Sequence, residues 1–294
     1  MEKILRLLPK SIASMISELN KKNTIEEIRI GIGKKLRIIE NGNEIVKPYV
    51  ATSEDIKGIV QKISNYSLYA IEDEIRQGYI TVDGGHRVGI AGQCIMQGNS
   101  VKTIKHISSL NIRIAREVIG SSDKVMRHII SGERVNNTLI ISPPRCGKTT
   151  ILRDISRNLS SGYSKLGLKG KRVVIIDERS EIASCYRGVP QMDVGDRTDV
   201  YDNCKKEEGL IMAIRTMSPE VIICDEIGSD KDIEGIISAY NSGVNVICTL
   251  HGNSVDDLYN REVFREVLKQ KLIKKVIVLS AKNGAGSIEE VYDV

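Results

Sequence analysis

Apolar residues recur at three- and four-residue intervals through Ile4, Leu5, Leu8, Ile12, Met15, Ile16 and Leu19. That period predicts one buried helix face near the amino terminus. Denser apolar runs at 25–32 and 35–40, followed by the turn residues Asn41-Gly42-Asn43, predict strands. Ser53 is placed to cap a helix carrying Ile56, Ile59, Val60 and Ile63, and a second helix is expected over 68–76, stopped by Gly78. The stretch YITVDGGHRVGIAGQCIM predicts two strands around Asp83-Gly84-Gly85, with another pair turning at Gly98-Asn99. The first part of the chain therefore reads as a small α+β module.

From about residue 120 the pattern changes to regular alternation. A short helix (122–131) leads to a strand (137–141), then helix 148–159, strand 172–176, helix 206–217, strand 221–224, helix 230–241, strand 244–249, helix 261–269 and strand 275–279. Nearly continuous Val/Ile strands between helices predict an α/β fold with a mostly parallel sheet covered on both faces. The expected domains are 1–118 and 119–294. Segments 162–171 and 184–203 are polar and aperiodic and read as loops, the second long enough to suggest a functional one.

Composition narrows the function. Aromatics are 4% of 294 residues, so the core is aliphatic and single-strand base stacking is disfavoured. Apolar runs are strand length, which predicts no transmembrane helix, and charges at Glu2, Lys3, Arg6 and Lys10 interrupt any signal sequence. Six cysteines, 19 to 52 residues apart with no C-x-x-C pair, argue against a zinc site or disulfide framework and point to a reducing cytoplasm. A net charge of +5 permits phosphate, nucleic-acid or membrane contacts and selects none.

The strongest chemical signal is LIISPPRCGKTTIL, a strand, a loop and a helix start. Ser142, Pro143, Pro144, Arg145, Cys146, Gly147, Lys148, Thr149 and Thr150 form a phosphate-loop pattern in which Ser142 replaces the first glycine. Backbone N–H groups at such a helix start face phosphates. Lys148 would reach the β- and γ-phosphates of ATP, and the Thr149 hydroxyl would ligate Mg²⁺. Ser142 is acceptable there if the position needs no positive φ. An acidic partner is required at a neighbouring strand end. VIICDEIG offers Asp225 for Mg²⁺ and Glu226 to activate water, and RVVIIDERSEI offers Asp177-Glu178. His251, at the end of VNVICTLHGN, is expected as a sensor or coupling residue and not a base. Arg113, Arg116 and Arg197 are candidates for stabilising transition-state charge.

The order of phosphate loop, VVIIDERSEIA, SPEVIICDEIG and TLHGN resembles the secretion and pilus-motor ATPases, where the four elements are Walker A, Asp box, Walker B and His box. GGHRVGIAG, ISSLNIRIARE and DVGDRTDV bring the resemblance closer to the stage III sporulation AA family. It implies a RecA-like P-loop core behind a smaller amino-terminal domain, working as a homo-hexamer. It implies a motor in the mother-cell cytoplasm, peripheral at the inner face of the membrane. There it would energise a channel to the forespore, with the membrane proteins of that channel as partners and no stable nucleic-acid partner. In the motor superfamily, arginines of the amino-terminal domain contact the γ-phosphate, which favours Arg113 or Arg116; the catalytic carboxylate is Glu226 or Glu178. Two other readings stand beside it. One is a nucleic-acid-dependent P-loop NTPase, supported by a basic helix at 261–275 and by Lys34, Lys35 and Arg37. The other is a nucleotide-gated scaffold with little turnover, supported by Ser142.

Overall fold

The computed structural model describes residues 1–19, 24–67, 71–144 and 146–294. The chain divides into two compact units, Met1–Arg116 and Glu117–Val294.

The amino-terminal helical pattern is broken in two. α1 (Glu2–Leu7) and α2 (Lys10–Leu19) are separated because Pro9 pushes Leu8 to an extended conformation, φ −83° and ψ 154°. Both halves keep their apolar face, with Ile4, Ile12 and Ile16 buried. β1 (Ile25–Gly31), β2 (Lys35–Glu40) and β3 (Asn43–Val50) follow, then α3 (Ser53–Ile63), α4 (Glu72–Gln77), β4 (Tyr79–Val82), β5 (His86–Gln97) and β6 (Ser100–Arg113). α3 starts at a capping box of Thr52 and Asp55, one residue ahead of the expected Ser53 cap. The expected helix over 68–76 is α4, and residues 68–70 lie outside the described residues. The six strands form an antiparallel sheet in the order β3-β2-β1-β6-β5-β4. β5 serves both expected hairpins, so two strand pairs become one meander. Ile28, Ile30, Leu36, Ile38, Val88, Ile90, Leu110 and Ile112 pack with α1, α2 and α3 in one cluster. Alternation sends Arg29, Lys35, Arg37 and Arg113 to the opposite, exposed side.

The second unit runs α5 (Asp123–Ile129), β7 (Ile130–Ser131), β8 (Arg134–Val135), β9 (Thr138–Ser142), α6 (Lys148–Ser161), β10 (Val173–Asp177), β11 (Thr198–Asp202), α7 (Lys206–Thr216), β12 (Val221–Cys224), α8 (Asp230–Asn241), β13 (Asn245–His251), α9 (Asp256–Tyr259), α10 (Arg265–Lys269), β14 (Lys275–Ser280) and β15 (Ser287–Asp293). Its main sheet has the order β11-β10-β12-β13-β9-β14-β15, parallel except for the last strand. Two apolar clusters flank it. Ile140, Ile151, Ile155, Ile175 and Ile223 lie in one, and Leu139, Ile141, Ile176, Leu210 and Ile222 in the other.

Two strands of the main sheet were hidden in the sequence. β11 lies inside the expected 184–203 loop, and β15 follows the last expected strand. Both are edge strands, so Asp199, Glu289 and Glu290 can sit in them without being buried. The basic helix expected at 261–275 does not form as such. A 3-10 turn (Glu262–Phe264) and the five-residue α10 replace it, because Phe264 and Val267 are drawn into the core, and Lys275 already belongs to β14. The feature that favoured a nucleic-acid-dependent NTPase is therefore not a continuous basic face.

Candidate active site

Strand order builds the site. β13 is inserted between β9, which ends in the phosphate loop, and β12, which ends at Asp225-Glu226. His251 is in register with Ser142 on one side, and Cys248 with Cys224 on the other. The carboxyl ends of three adjacent parallel strands thus place the lysine, histidine and glutamate in a row.

The loop between β9 and α6 closes around Lys148. Ser142 is fully buried, keeps strand geometry, and donates its hydroxyl to the Pro143 carbonyl at 3.0 Å. It is absent from the positive-φ residues, so a glycine is not required there. Gly147 caps α6 at φ 82°, a conformation that favours glycine, and aligns the helix start with the loop. Cys146 is buried, with its thiol 3.7 Å from the Pro144 carbonyl. Thr149 and Thr150 sit half-buried in the first turn, and the Thr150 carbonyl accepts from Ser121 at 3.3 Å. Arg145 lies outside the described residues.

Lys148 Nζ donates to the carbonyls of Ser142 at 2.9 Å and Pro143 at 3.1 Å, and to His251 Nδ1 at 3.0 Å. Burial lowers its ammonium from the usual lysine value, opposed by the charge of Glu226. An ammonium can only donate, so Nδ1 offers its lone pair and the ring proton sits on Nε2. Nε2 then donates to Glu226 Oε1 at 2.7 Å. Arg179 Nη1 lies 3.2 Å from Glu226 Oε2. Glu226 itself is held at φ 35°, with its N–H donating to Thr249 Oγ1 at 2.9 Å. Such a left-handed non-glycine residue costs energy and persists where the surroundings fix it. The result is a continuous line, Lys148–His251–Glu226–Arg179.

Asp225 stands beside this line and is 5% exposed. Its Oδ1 is buried with no hydrogen-bond partner. Burial, reinforced by Asp177 and opposed by Lys206, pushes its carboxyl up to about 7. An orphaned hard oxygen acceptor with a strained charge fits a divalent cation, which would hold the carboxylate ionised.

The second acidic pair behaves differently. Asp177 is fully buried and accepts from the N–H groups of Glu181 and Ala183 at 2.8 Å each, so it shapes the loop after β10. Glu178 is ion-paired with Lys206 and is not part of the line through His251. Arg197 lies apart from the line within one chain. It precedes β11, at the amino-terminal end of the parallel strands, and its Nη1 donates to the Ser160 carbonyl at 3.1 Å near the far end of α6. The strand direction that gathers Lys148 and Glu226 carries Arg197 away from them within one chain. Arg113 ends β6 and Arg116 follows it, 4.0 Å from Glu26; both belong to the unit Met1–Arg116. Arg179, Thr249 and Lys206 were missed as site residues. Arg179 lies inside the acidic segment already singled out, but nothing in its spacing aims it at Glu226.

A parallel sheet with a phosphate loop on one strand, an acidic pair two strands away and a histidine strand between them is a RecA-like ATPase fold. Solved structures share it. The DotB ATPase of Legionella pneumophila superposes with a TM-score of 0.63 at 16% identity, over 92% of this chain and 76% of that one. The pilus retraction motor PilT, solved with bound ADP, gives 0.60 at 15% identity, over 90% and 76%. The chain belongs to the family described as Sporulation stage III, protein AA, whose model matches residues 1–294. It is 41% identical to the Stage III sporulation protein AA of Bacillus subtilis (strain 168), over 100% of this chain and 95% of that protein.

Proposed function

We propose that the protein is an ATP-hydrolysing motor of stage III sporulation, acting as a homo-oligomeric ring at the inner face of the mother-cell membrane on the channel proteins of that stage. The observation that carries the catalytic part is the line Lys148–His251–Glu226, set next to the orphaned Asp225 oxygen. ATP phosphates compete for the Lys148 ammonium, which leaves the Ser142 and Pro143 carbonyls and His251. His251 then keeps its Nε2 proton on Glu226 and reports whether the lysine is occupied. Glu226, freed on its other oxygen when Arg179 turns to phosphate charge, accepts a proton from the attacking water. Mg²⁺, held by Asp225 and the Thr149 hydroxyl, would neutralise phosphate charge. Arg113 or Arg116 supplies the remaining positive charge.

The test is ATP turnover by the purified full chain, with and without single-stranded DNA, beside Lys148→Ala and Glu226→Gln. Turnover that ignores DNA and falls at least about a hundredfold in both variants is expected. Absence of turnover in the unaltered protein would overturn the motor and leave the nucleotide-gated scaffold. Turnover that appears only with DNA would replace it by a nucleic-acid-dependent NTPase.

A further inference from the structure

The exposed side of the amino-terminal sheet carries a groove that the proposed reaction leaves unused. Its volume is about 660 Å³, within the range of roughly 300–1,000 Å³ typical of small-ligand sites. Among the described residues, none of the phosphate loop lines it.

Charge is concentrated along one wall. The β1–β2 register sets Arg29 directly opposite Arg37, and like charges so placed repel each other. Lys34 and Lys35 join them at the groove. Glu27 pairs with Arg29, and Glu44 lies 3.7 Å from Arg37. Those two arginine side chains remain 56% and 53% exposed, where such pairs contribute little. A concave surface with excess positive charge invites an anion.

The floor is kept low by small residues. A Cβ added at Gly31 would come within 3.1 Å of Lys34 Cδ and Ser109 Oγ, whereas one at Gly89 would meet only Asn111, at 3.6 Å. Asn111 sits in the same row, facing Arg29 on β1 and Gly89 on β5. Its Oδ1 is buried and has no hydrogen-bond partner, an omission that is costly for a buried polar atom. That oxygen accepts only, so a ligand that satisfies it must bring an N–H or O–H group.

We propose that this groove binds a nucleotide-sized phosphate ester: the Arg29–Arg37 wall holds the phosphate, and Asn111 Oδ1 accepts from an amino or hydroxyl group of the same ligand. Calorimetric titration of full-length Lys148→Ala, in which the phosphate loop is disabled, tests this with ADP and with inorganic pyrophosphate. The readout is binding, so it stands or falls separately from ATP turnover. Both probes are expected to bind. Adding Arg29→Ala with Arg37→Ala should weaken both at least about tenfold, whereas Arg29→Lys with Arg37→Lys should retain most of the affinity. Asn111→Leu should weaken ADP and spare pyrophosphate. No binding to Lys148→Ala, or binding indifferent to the two arginines, would overturn the proposal. So would a short RNA that binds tenfold tighter than ADP and is lost in the same arginine variant, since the groove would then belong to a nucleic-acid strand.

Discussion

Asp225 and Glu226 are chain neighbours at the end of β12, yet their surroundings give them opposite tasks. Glu226 has both carboxylate oxygens engaged, by His251 and by Arg179. Asp225 has one oxygen with no partner and a carboxyl pushed up to about 7 by burial. An aspartate titrating near 3.8 when unfolded and about 7 when folded holds a proton in the folded state that the unfolded chain releases. Its stabilising contribution is therefore complete below pH ~4 and is lost as pH rises through 7. Asp177 and Asp202, also raised by burial, act in the same direction. Asp225→Asn should consequently raise the melting temperature of nucleotide-free protein at pH 8 by roughly 5 °C, give little gain at pH 4, and abolish turnover. Thermal melts at the two pH values check it. A variant that melts lower than the unaltered protein at pH 8 would mean that the Asp225 charge is already compensated.

At the scale of elements, α6 connects chemistry to scaffold. Its first residue is Lys148 and its last turn lies beside β11. Between them Asp154, 4% exposed, accepts from the N–H groups of Gly120 and Ser122, the Ser122 hydroxyl and Arg157. Burial alone would raise its carboxyl, but these donors outweigh it and hold it below the usual aspartate value. Asp154→Ala should cost about 3 kcal/mol by orphaning those donors, read as a lower denaturation midpoint. Asp154 was not legible as anything but a polar position in an amphipathic helix, because Gly120 and Ser122, which supply three of its donors, are more than 30 residues earlier in the chain. The same limit hid β11 and β15, whose polar sequences are tolerated only because they lie at sheet edges. By contrast β9, β10, β12, β13 and β14 were legible, since strands buried on both faces must be nearly all Val, Ile, Leu and Cys.

At the scale of the molecule, the two units carry separate cores and separate anionic sites in these proposals. A homo-oligomeric ring is the working form proposed above. Native mass measurement of Glu226→Gln with ATP should give a multiple of the 32.6 kDa chain. A single-chain mass both with and without ATP would count against a ring. One acid-side effect belongs to the amino-terminal unit. Burial, together with the nearby amino terminus and Lys3, pushes the His86 imidazole down to about 4. Its contribution is present above pH ~6.5 and lost as pH falls toward 4, the reverse of Asp225.

The sequence by itself determined the α/β character of the second half, the phosphate loop, the acidic strand ends and the histidine strand. These are local patterns: runs of branched residues, a glycine before a lysine, carboxylates where an apolar run stops. The tertiary structure alone decided strand order, and with it the row Lys148–His251–Glu226–Arg179, because parallel neighbours are joined by crossovers that leave no local trace. It also separated two acidic pairs that read alike in sequence. Asp177 is turned inward to hold a loop, and Asp225 keeps an unsatisfied oxygen, a difference made by neighbours distant in the chain and not by the residues themselves.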